Sequence, residues 1–136
     1  MNESPTRLEL SVLPEQFAVT QLAANAPLPP WSTQGSFFSI TRTGDELSVV
    51  CAVQHVPEQM RGEICWRALK VRGPFALSEI GVLASLATPL ADAKISLLAI
   101  STFATDYLLV SSEQLRAAVD TLQRAGHKIY EAGLVS

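Results

Sequence analysis

The stretch KISLLAISTFATDYLLVS, residues 94–111, decides the fold because it contains two apolar segments on either side of a short polar turn. The segments KISLLAI (94–100) and DYLLVS (106–111) are typical of β-strands, and the turn between them predicts a hairpin. Thr102, Phe103 and Asp106 place a hydroxyl, an aromatic ring and a carboxylate at this turn. The hairpin therefore raises the question of whether its corner only forms a turn or also binds a ligand.

The residues before this hairpin predict one strand followed by one helix. WRALKVR (66–72) alternates apolar and polar residues as a strand does, and Gly73-Pro74 ends it. Ser78 is a candidate N-cap, and Pro89 predicts a kink or an end of the helix near Thr88. The predicted inward face of this helix consists of Ile80, Leu83, Ala84, Ala87 and Leu90.

A second helix and a last strand are predicted after the hairpin. Ser111 and Gln114 have the spacing of a capping box, and Asp120 and Arg124 have that of an exposed ion pair. Gly126 is a natural residue to end the helix, before the short strand HKIY (127–130). The predicted inward residues of this helix are Leu115, Ala118, Val119 and Leu122. The resulting order, β-α-β-β-α-β, predicts an α+β fold of the ferredoxin-like type.

The first half of the chain predicts a shorter version of the same pattern. RLELSVL (7–13) alternates as a strand, and a short helical stretch is expected from Pro14 through Leu22. Residues 26–35 are predicted to be a loop, because three prolines there oppose regular structure. GSFFSITRT (35–43) and ELSVVCAV (46–53) predict a hairpin around Gly44-Asp45. Residues 55–64 leave room for only a turn or two of helix.

The two predicted hairpins overlay at an offset of sixty residues. Ser36, Ile40 and Val50 then match Ser96, Ile100 and Val110, and Glu46 falls on Asp106. This similarity predicts a degenerate tandem repeat. We expect two ferredoxin-like units that pack together, an abbreviated one in residues 1–64 and a fuller one in residues 65–136.

Composition excludes several classes of protein. The 136 residues are 48% hydrophobic and 17% charged, which suits one compact domain or two very small ones. The net charge of −3 argues against nucleic acid, and no basic amphipathic helix suggests a membrane surface. The N-terminus lacks the features of a signal peptide, so a cytoplasmic location is expected.

The cysteines and histidines do not predict a metal centre. Cys51, in an apolar strand, is expected to be buried, and a zinc site of Cys51, His55 and Cys65 lacks a sensible fourth ligand. His55 and His127 are expected to be solvated or locally bonded. No cofactor or metal is therefore predicted.

The chain also resembles a known family through GPFALSEIGVLASLATPLADAKISLLAISTFATDYLLV, residues 73–110. EIGVLASLATPLADAKIS and ISTFATDYLLV carry the resemblance, which is to the ACT-domain family and in particular to small tandem-ACT proteins related to cytosolic amino-acid sensors. The resemblance implies non-catalytic, regulatory binding of a free amino acid at an interface between ACT units, and a homodimer. Carried over residue by residue, it implies ligand contacts at Ala76, Leu77, Glu79, Thr102, Phe103 and Asp106.

The residue types at these positions suit a zwitterion. Unpaired N–H groups at the start of the helix that follows Ser78 can bind a carboxylate, and Asp106 can bind an ammonium group. Thr102 can complete the polar shell, and Phe103 can supply an apolar wall or a cation–π face. Glu79 can favour cationic or polar ligand side chains.

Each of these residues also has a purely structural interpretation. Asp106 can hydrogen-bond the local backbone, Phe103 can belong to the core, and Glu79 can complement the helix dipole. Among functions, an acylphosphatase needs an Asn that is missing from the hairpin, and an RNA-binding sheet needs a basic surface. A structural oligomerisation module without a ligand stays open as the alternative to an amino-acid sensor.

Overall fold

The computed structural model describes residues 7–73 and 81–131, which form strands and helices of an α+β fold. The strands are β1 (Glu9–Leu22), β2 (Phe38–Arg42), β3 (Leu47–Ala52), β4 (Trp66–Val71), β5 (Leu98–Ser101), β6 (Asp106–Ser111) and β7 (Lys128–Glu131). The α-helices are α1 (Val82–Asp92) and α2 (Leu115–Arg124). Short 3-10 turns occupy Pro30–Thr33, Val53–His55, Glu58–Met60 and Ser112–Gln114.

The chain divides into two compact units. The central unit is Glu15–Trp66, and the C-terminal unit combines the chain up to Pro14 with the chain from Arg67 onward. The long strand β1 contributes its first residues to the C-terminal unit and its last residues to the central unit.

The C-terminal unit has the predicted order β4-α1-β5-β6-α2-β7. β4 neighbours β6, which pairs antiparallel with β5. The first part of β1 pairs parallel with β7, from Glu9 opposite Lys128 to Val12 opposite Glu131, and β4 also neighbours β1. The beginning of the chain therefore adds a strand beside the β-α-β-β-α-β order.

Both helices pack on one face of this sheet. Alternate residues of β1, β4 and β6 point to that face, while their neighbours point to the other. The buried cluster consists of Leu8, Leu10, Val12, Leu69, Val71, Val82, Leu86, Leu90, Ile95, Leu108, Val110, Ala118, Val119 and Leu122. The predicted inward face of α1 was partly wrong, since Ala84 is exposed and Leu86 is buried.

Of the kink or end predicted near Thr88, the end was wrong, because α1 continues past Pro89 to Asp92. A proline has no N–H, so the carbonyl of Ser85 lacks its usual donor four residues later. The buried ring of His127 takes that place, with Nε2 3.0 Å from the Ser85 oxygen. Its Nδ1 accepts the Leu8 N–H at 3.1 Å, so Nε2 carries the hydrogen. His127 therefore joins Leu8, the residue just before β1, to α1, and it is neither solvated nor locally bonded.

The second helix confirms its predicted inward face and lacks its predicted cap and ion pair. Ala118, Val119 and Leu122 are buried, and Leu115 packs against the same cluster. Ser111 makes no capping bond, because residues 112–114 form a 3-10 turn ahead of the helix. Asp120 pairs with Arg116, 3.6 Å away, instead of Arg124. Gly126 has the positive φ of 103° expected at a helix end.

The central unit is built on the second part of β1, so the predicted helix from Pro14 through Leu22 was wrong. Residues from Phe17 to Leu22 pair antiparallel with β3, from Ala52 back to Leu47, and β3 pairs with β2. Ala18 and Thr20 are buried while Gln21 is exposed, as strand alternation requires. Pairing with β3 outweighs the helix-start signal of Pro14.

In the central unit, Cys51 belongs to the buried cluster with Ala18 and Val49, whereas Phe17, the neighbour of Ala18 in β1, is buried elsewhere and pairs with the ring of Phe37. The two rings meet edge to face with their centroids 5.4 Å apart. Cys51 is buried as predicted, and burial raises the pKa of its thiol. The loop before β2 contains the 3-10 turn Pro30–Thr33, which the prediction of an irregular loop missed.

The described residues contain neither a candidate metal cluster nor a candidate membrane-spanning helix. Within residues 7–73 and 81–131, no group of three or more His, Cys, Asp or Glu side chains could hold a metal ion. None of the helices in the same ranges has the length and apolar content needed to cross a membrane.

Candidate functional site

The candidate site is the corner of the second hairpin, which we define as residues 101–106, between β5 and β6. The Thr102 N–H donates to the Thr105 carbonyl at 2.8 Å. The Thr102 hydroxyl also accepts the Thr105 N–H at 3.2 Å and lies 3.0 Å from the Thr105 carbonyl. Thr102 is therefore occupied in closing the turn, as Thr and Ser residues commonly are.

Thr105 fixes this corner to the sheet. Its side chain is only 8% exposed, and its hydroxyl donates to the Val71 carbonyl at 2.7 Å. Val71 is the last residue of β4, so the corner is attached to the end of that strand. The sequence analysis missed Thr105, because its partner lies 34 residues earlier in the chain.

Asp106 begins β6 and lies directly opposite Ser101, the last residue of β5. The Ser101 hydroxyl donates to Asp106 Oδ1 at 2.6 Å, and among the described residues no donor is bonded to Oδ2. Asp106 is partly exposed. It can therefore accept a hydrogen bond from an ammonium or guanidinium group, while Ser101 holds the carboxylate in position.

Ser101 is a second residue that the sequence analysis missed. Its relation to Asp106 depends on the hairpin register, which residue types alone do not give. A register that pairs residues 101 and 106 follows once the turn is limited to residues 102–105.

Phe103 lies at the tip of the turn with 83% of its surface exposed. The interpretation of Phe103 as a core residue was therefore wrong. An aromatic ring left in solvent loses the free energy that its burial would provide, so this ring is available to contact a ligand or another molecule.

Three predicted site residues, Ala76, Leu77 and Glu79, lie outside the described residues. The strand before them, β4, ends at Val71, and the Val71 carbonyl accepts the hydrogen bond from Thr105. The corner thus lies at the end of the strand that precedes residues 74–80. The structure brings Thr102, Phe103 and Asp106 together within one turn.

The two hairpins have matching registers, but at an offset of 59 residues and not the predicted sixty. Arg42 faces Leu47 across the first turn, as Ser101 faces Asp106 across the second. At this offset the core-facing Val49 and Cys51 fall on the core-facing Leu108 and Val110. An offset of sixty pairs inward with outward residues, because the side-chain period of a strand is two.

Comparison with known proteins places these features in a family. A family model described as the ACT domain matches residues 61–124, and a model described as an N-terminal domain matches residues 15–59. The crystal structure of protein Atu0741 from Agrobacterium tumefaciens is 38% identical, with a TM-score of 0.86 over 93% of this chain and 94% of that one.

Similarity extends to longer proteins as well. The cytosolic arginine sensor for mTORC1 subunit 1 of Mus musculus is 33% identical over 104 residues, which are 70% of this chain and 31% of the sensor. This chain therefore spans about a third of the length of that relative. Aspartate kinase of Clostridium acetobutylicum, 11% identical with a TM-score of 0.63 over 93% of this chain and 36% of the kinase, shares the fold alone. The chain therefore contains an ACT domain, in residues 61–124.

Proposed function

We propose that this protein is a non-catalytic regulator that binds a free amino acid or a similar small ligand at the corner of the second hairpin. The observation that supports this most strongly is the carboxylate of Asp106, which Ser101 holds through Oδ1 and whose Oδ2 has no donor among the described residues. Such a carboxylate makes a charge-assisted hydrogen bond with the ammonium group of an amino acid.

The opposite end of the ligand is assigned to the residues that lead into α1. In this proposal Ala76, Leu77 and Glu79 contact the ligand, with backbone N–H groups binding its carboxylate. Their place in the chain supports this assignment, because they follow β4, whose end is bonded to the corner through Thr105. Thr102 shapes the turn and Phe103 covers the apolar part of the ligand.

The exposure of Phe103 supports a homodimer as the active form. With 83% of its surface in solvent, the ring needs further protein surface to enclose a ligand. In a dimer of two such chains, that surface comes from the second copy. Ligand binding then shifts the equilibrium between assemblies or conformations, which is the basis of regulation.

We also propose that the protein contains two ACT-like units, an abbreviated one in residues 1–64 and a fuller one in residues 65–136, and that it acts in the cytoplasm. The matching hairpin registers support the two units. The similarity to the mouse protein, which is named a cytosolic sensor, supports the location and the regulatory role.

The test is calorimetry of the purified protein against the twenty amino acids, with Asp106→Asn as the variant and Asp45→Asn as the matched control. Asp45 is an exposed carboxylate in the first turn. We expect one or a few amino acids to bind and Asp106→Asn to lower the affinity about 10- to 100-fold, because hydrogen bonds to charged groups contribute about 1.5–3 kcal/mol. Asp45→Asn should leave the affinity unchanged.

Two results would count against the proposal. Failure of all twenty amino acids on folded protein would favour the alternative of a structural oligomerisation module. Equal affinities of Asp106→Asn and the unmodified protein would reject the assignment of the ammonium group to Asp106. Sedimentation with and without ligand would then test the dimer separately.

A further inference from the structure

A cleft lies on the face of the C-terminal unit's sheet opposite α1 and α2. It has a volume of about 240 Å³ and is lined by Glu9, Ser11, Arg72 and Tyr130. Glu9 and Ser11 alternate with Leu10 and Val12, which point into the core beneath the helices. This open-face cleft therefore belongs to the other side of the sheet from that core.

The cleft exists because a small residue stands between long ones. Ser11 pairs with Tyr130 across β1 and β7, and it contributes only a hydroxymethyl group. The Arg72 N–H donates to the Glu9 carbonyl at 2.8 Å, which brings the arginine side chain beside β1. Tyr130 and Arg72 thus form walls around a floor at Ser11.

The polar groups of the cleft are already oriented. Glu9 Oε1 accepts a hydrogen bond from Arg72 Nη1 and lies 3.4 Å from the Tyr130 hydroxyl. The hydrogen bond to Glu9, together with its negative charge, raises the pKa of Arg72. The guanidinium is therefore held in place while most of its side chain, 70%, stays exposed.

Several cations share this face with the carboxylate of Glu9. Lys128 lies over the Tyr130 ring, with Nζ 5.3 Å from its centroid. Lys70 lies on the face of β4 opposite the core-facing Leu69 and Val71. Among the described residues, Lys70, Arg72 and Lys128 thus share this face with the carboxylate of Glu9, in a chain whose net charge is −3. The local charge is opposite in sign to that of the whole chain, so it concentrates anions at the cleft.

We infer that the open-face cleft binds a small anion that carries a carboxylate or phosphate group. Arg72 has further N–H donors beyond the one used by Glu9, in the planar geometry that matches such groups. The hydroxyls of Ser11 and Tyr130 add neutral donors, and Lys70 and Lys128 add charge. A volume of about 240 Å³ suits a small metabolite or the anionic end of a larger one.

This site is separate from the second-hairpin corner in residues and in chemistry. The corner offers a carboxylate to a positive group, whereas the cleft offers cations to a negative group. Its test therefore succeeds or fails independently of the proposed amino-acid site.

The experiment is an NMR titration of the full chain with inorganic phosphate and, separately, with succinate. Ionic strength is kept constant with sodium chloride. We expect saturable shifts of the backbone amides of Glu9, Ser11, Arg72 and Tyr130 with at least one probe. Shifts that spread over the whole surface and rise linearly with concentration would overturn the inference.

Two variants and a matched control sharpen the result. Arg72→Gln should weaken binding about tenfold or more, whereas Arg124→Gln, the same charge change at the exposed end of α2, should leave it unchanged. Ser11→Leu fills the cleft without changing any charge and should also abolish binding. Equal weakening by Arg72→Gln and Arg124→Gln, or undiminished binding by Ser11→Leu, would contradict a defined site. Circular dichroism checks that each variant is folded.

Discussion

The two hairpins close their turns in the same way. In the first, the Thr43 N–H donates to the Glu46 carbonyl at 2.9 Å, and the Thr43 hydroxyl accepts the Glu46 N–H at 3.2 Å. In the second, Thr102 and Thr105 make the same two bonds, at 2.8 and 3.2 Å. The first hairpin thus shows which residues an ordinary turn of this kind requires.

The hairpins differ in the residues that flank the turn. In the first, Leu47 is fully buried, and Arg42 donates to the carbonyls of Ala24 and Ala26. In the second, Ser101 and Asp106 occupy those positions and bond to each other. The bonds that close the turn therefore explain why a threonine stands at position 102. They do not explain why Ser101 and Asp106 flank the second turn. This difference is the physical reason for assigning the second corner a function.

The largest expected effect comes from Asp106→Leu, which gives the second corner the flanking residue of the first. Amino-acid binding should fall about 10- to 100-fold or more, because the charged acceptor is lost. The free energy of unfolding should stay the same or rise, since the turn does not use this carboxylate. Calorimetry and urea unfolding measure the two quantities. A destabilised variant with unchanged affinity would show that Asp106 stabilises the hairpin and does not bind the ligand.

Thr105→Val should have the next largest effect, on stability. The buried Val71 carbonyl loses the hydroxyl that bonds it at 2.7 Å, and an unsatisfied buried group costs about 1–3 kcal/mol. Urea unfolding measures the loss. The control is Glu46→Gln at the equivalent position of the first turn, where the side chain is only partly buried, and it should change stability little. Equal effects of the two changes would show that the attachment to β4 is unimportant.

Thr43→Val and Thr102→Val should each destabilise the protein by a similar, smaller amount. Each removes the side-chain bonds of one turn, for which about 0.5–1.5 kcal/mol is typical. The measurement is urea unfolding of both variants under identical conditions. If Thr102→Val abolished amino-acid binding without lowering the free energy of unfolding, the main role of Thr102 would be to contact the ligand and not to close the turn.

The smallest effect is expected from Cys51→Val, which copies Val110 at the offset of 59 residues. A buried swap of similar volume should cost less than about 1.5 kcal/mol. Because burial raises the pKa of the Cys51 thiol, little reactive thiolate forms near neutral pH. A thiol reagent should therefore modify the exposed Cys65 quickly and Cys51 only after unfolding. Rapid modification of both would show that Cys51 is not enclosed in the core.

Much of the C-terminal unit could be predicted because its signals are local. The strand β6 begins at Asp106 and ends at Ser111 as predicted, and Leu122 lies on the predicted face of its helix. The second part of β1 could not be predicted, since its conformation depends on pairing with β3, far along the chain. Likewise, α1 continues past Pro89 because His127 satisfies the Ser85 carbonyl.

The residues of the candidate site also differ in whether the sequence alone could reveal them. Asp106 and Phe103 could be identified as candidates from their side-chain chemistry and from the resemblance to the ACT-domain family, without knowledge of the structure. Ser101 needed the hairpin register, and Thr105 needed the position of Val71. The residues proposed to contact a ligand could therefore be chosen from the sequence, whereas those that hold them in place depend on tertiary contacts.

The most direct test of the account is an NMR titration with the amino acid that binds best in calorimetry. The account predicts saturable shifts of the backbone amides of residues 101–106, while those of residues 43–46 stay in place. Equal shifts in both turns, or shifts in the first turn alone, would contradict the claim that only the second corner carries chemistry beyond that of a turn.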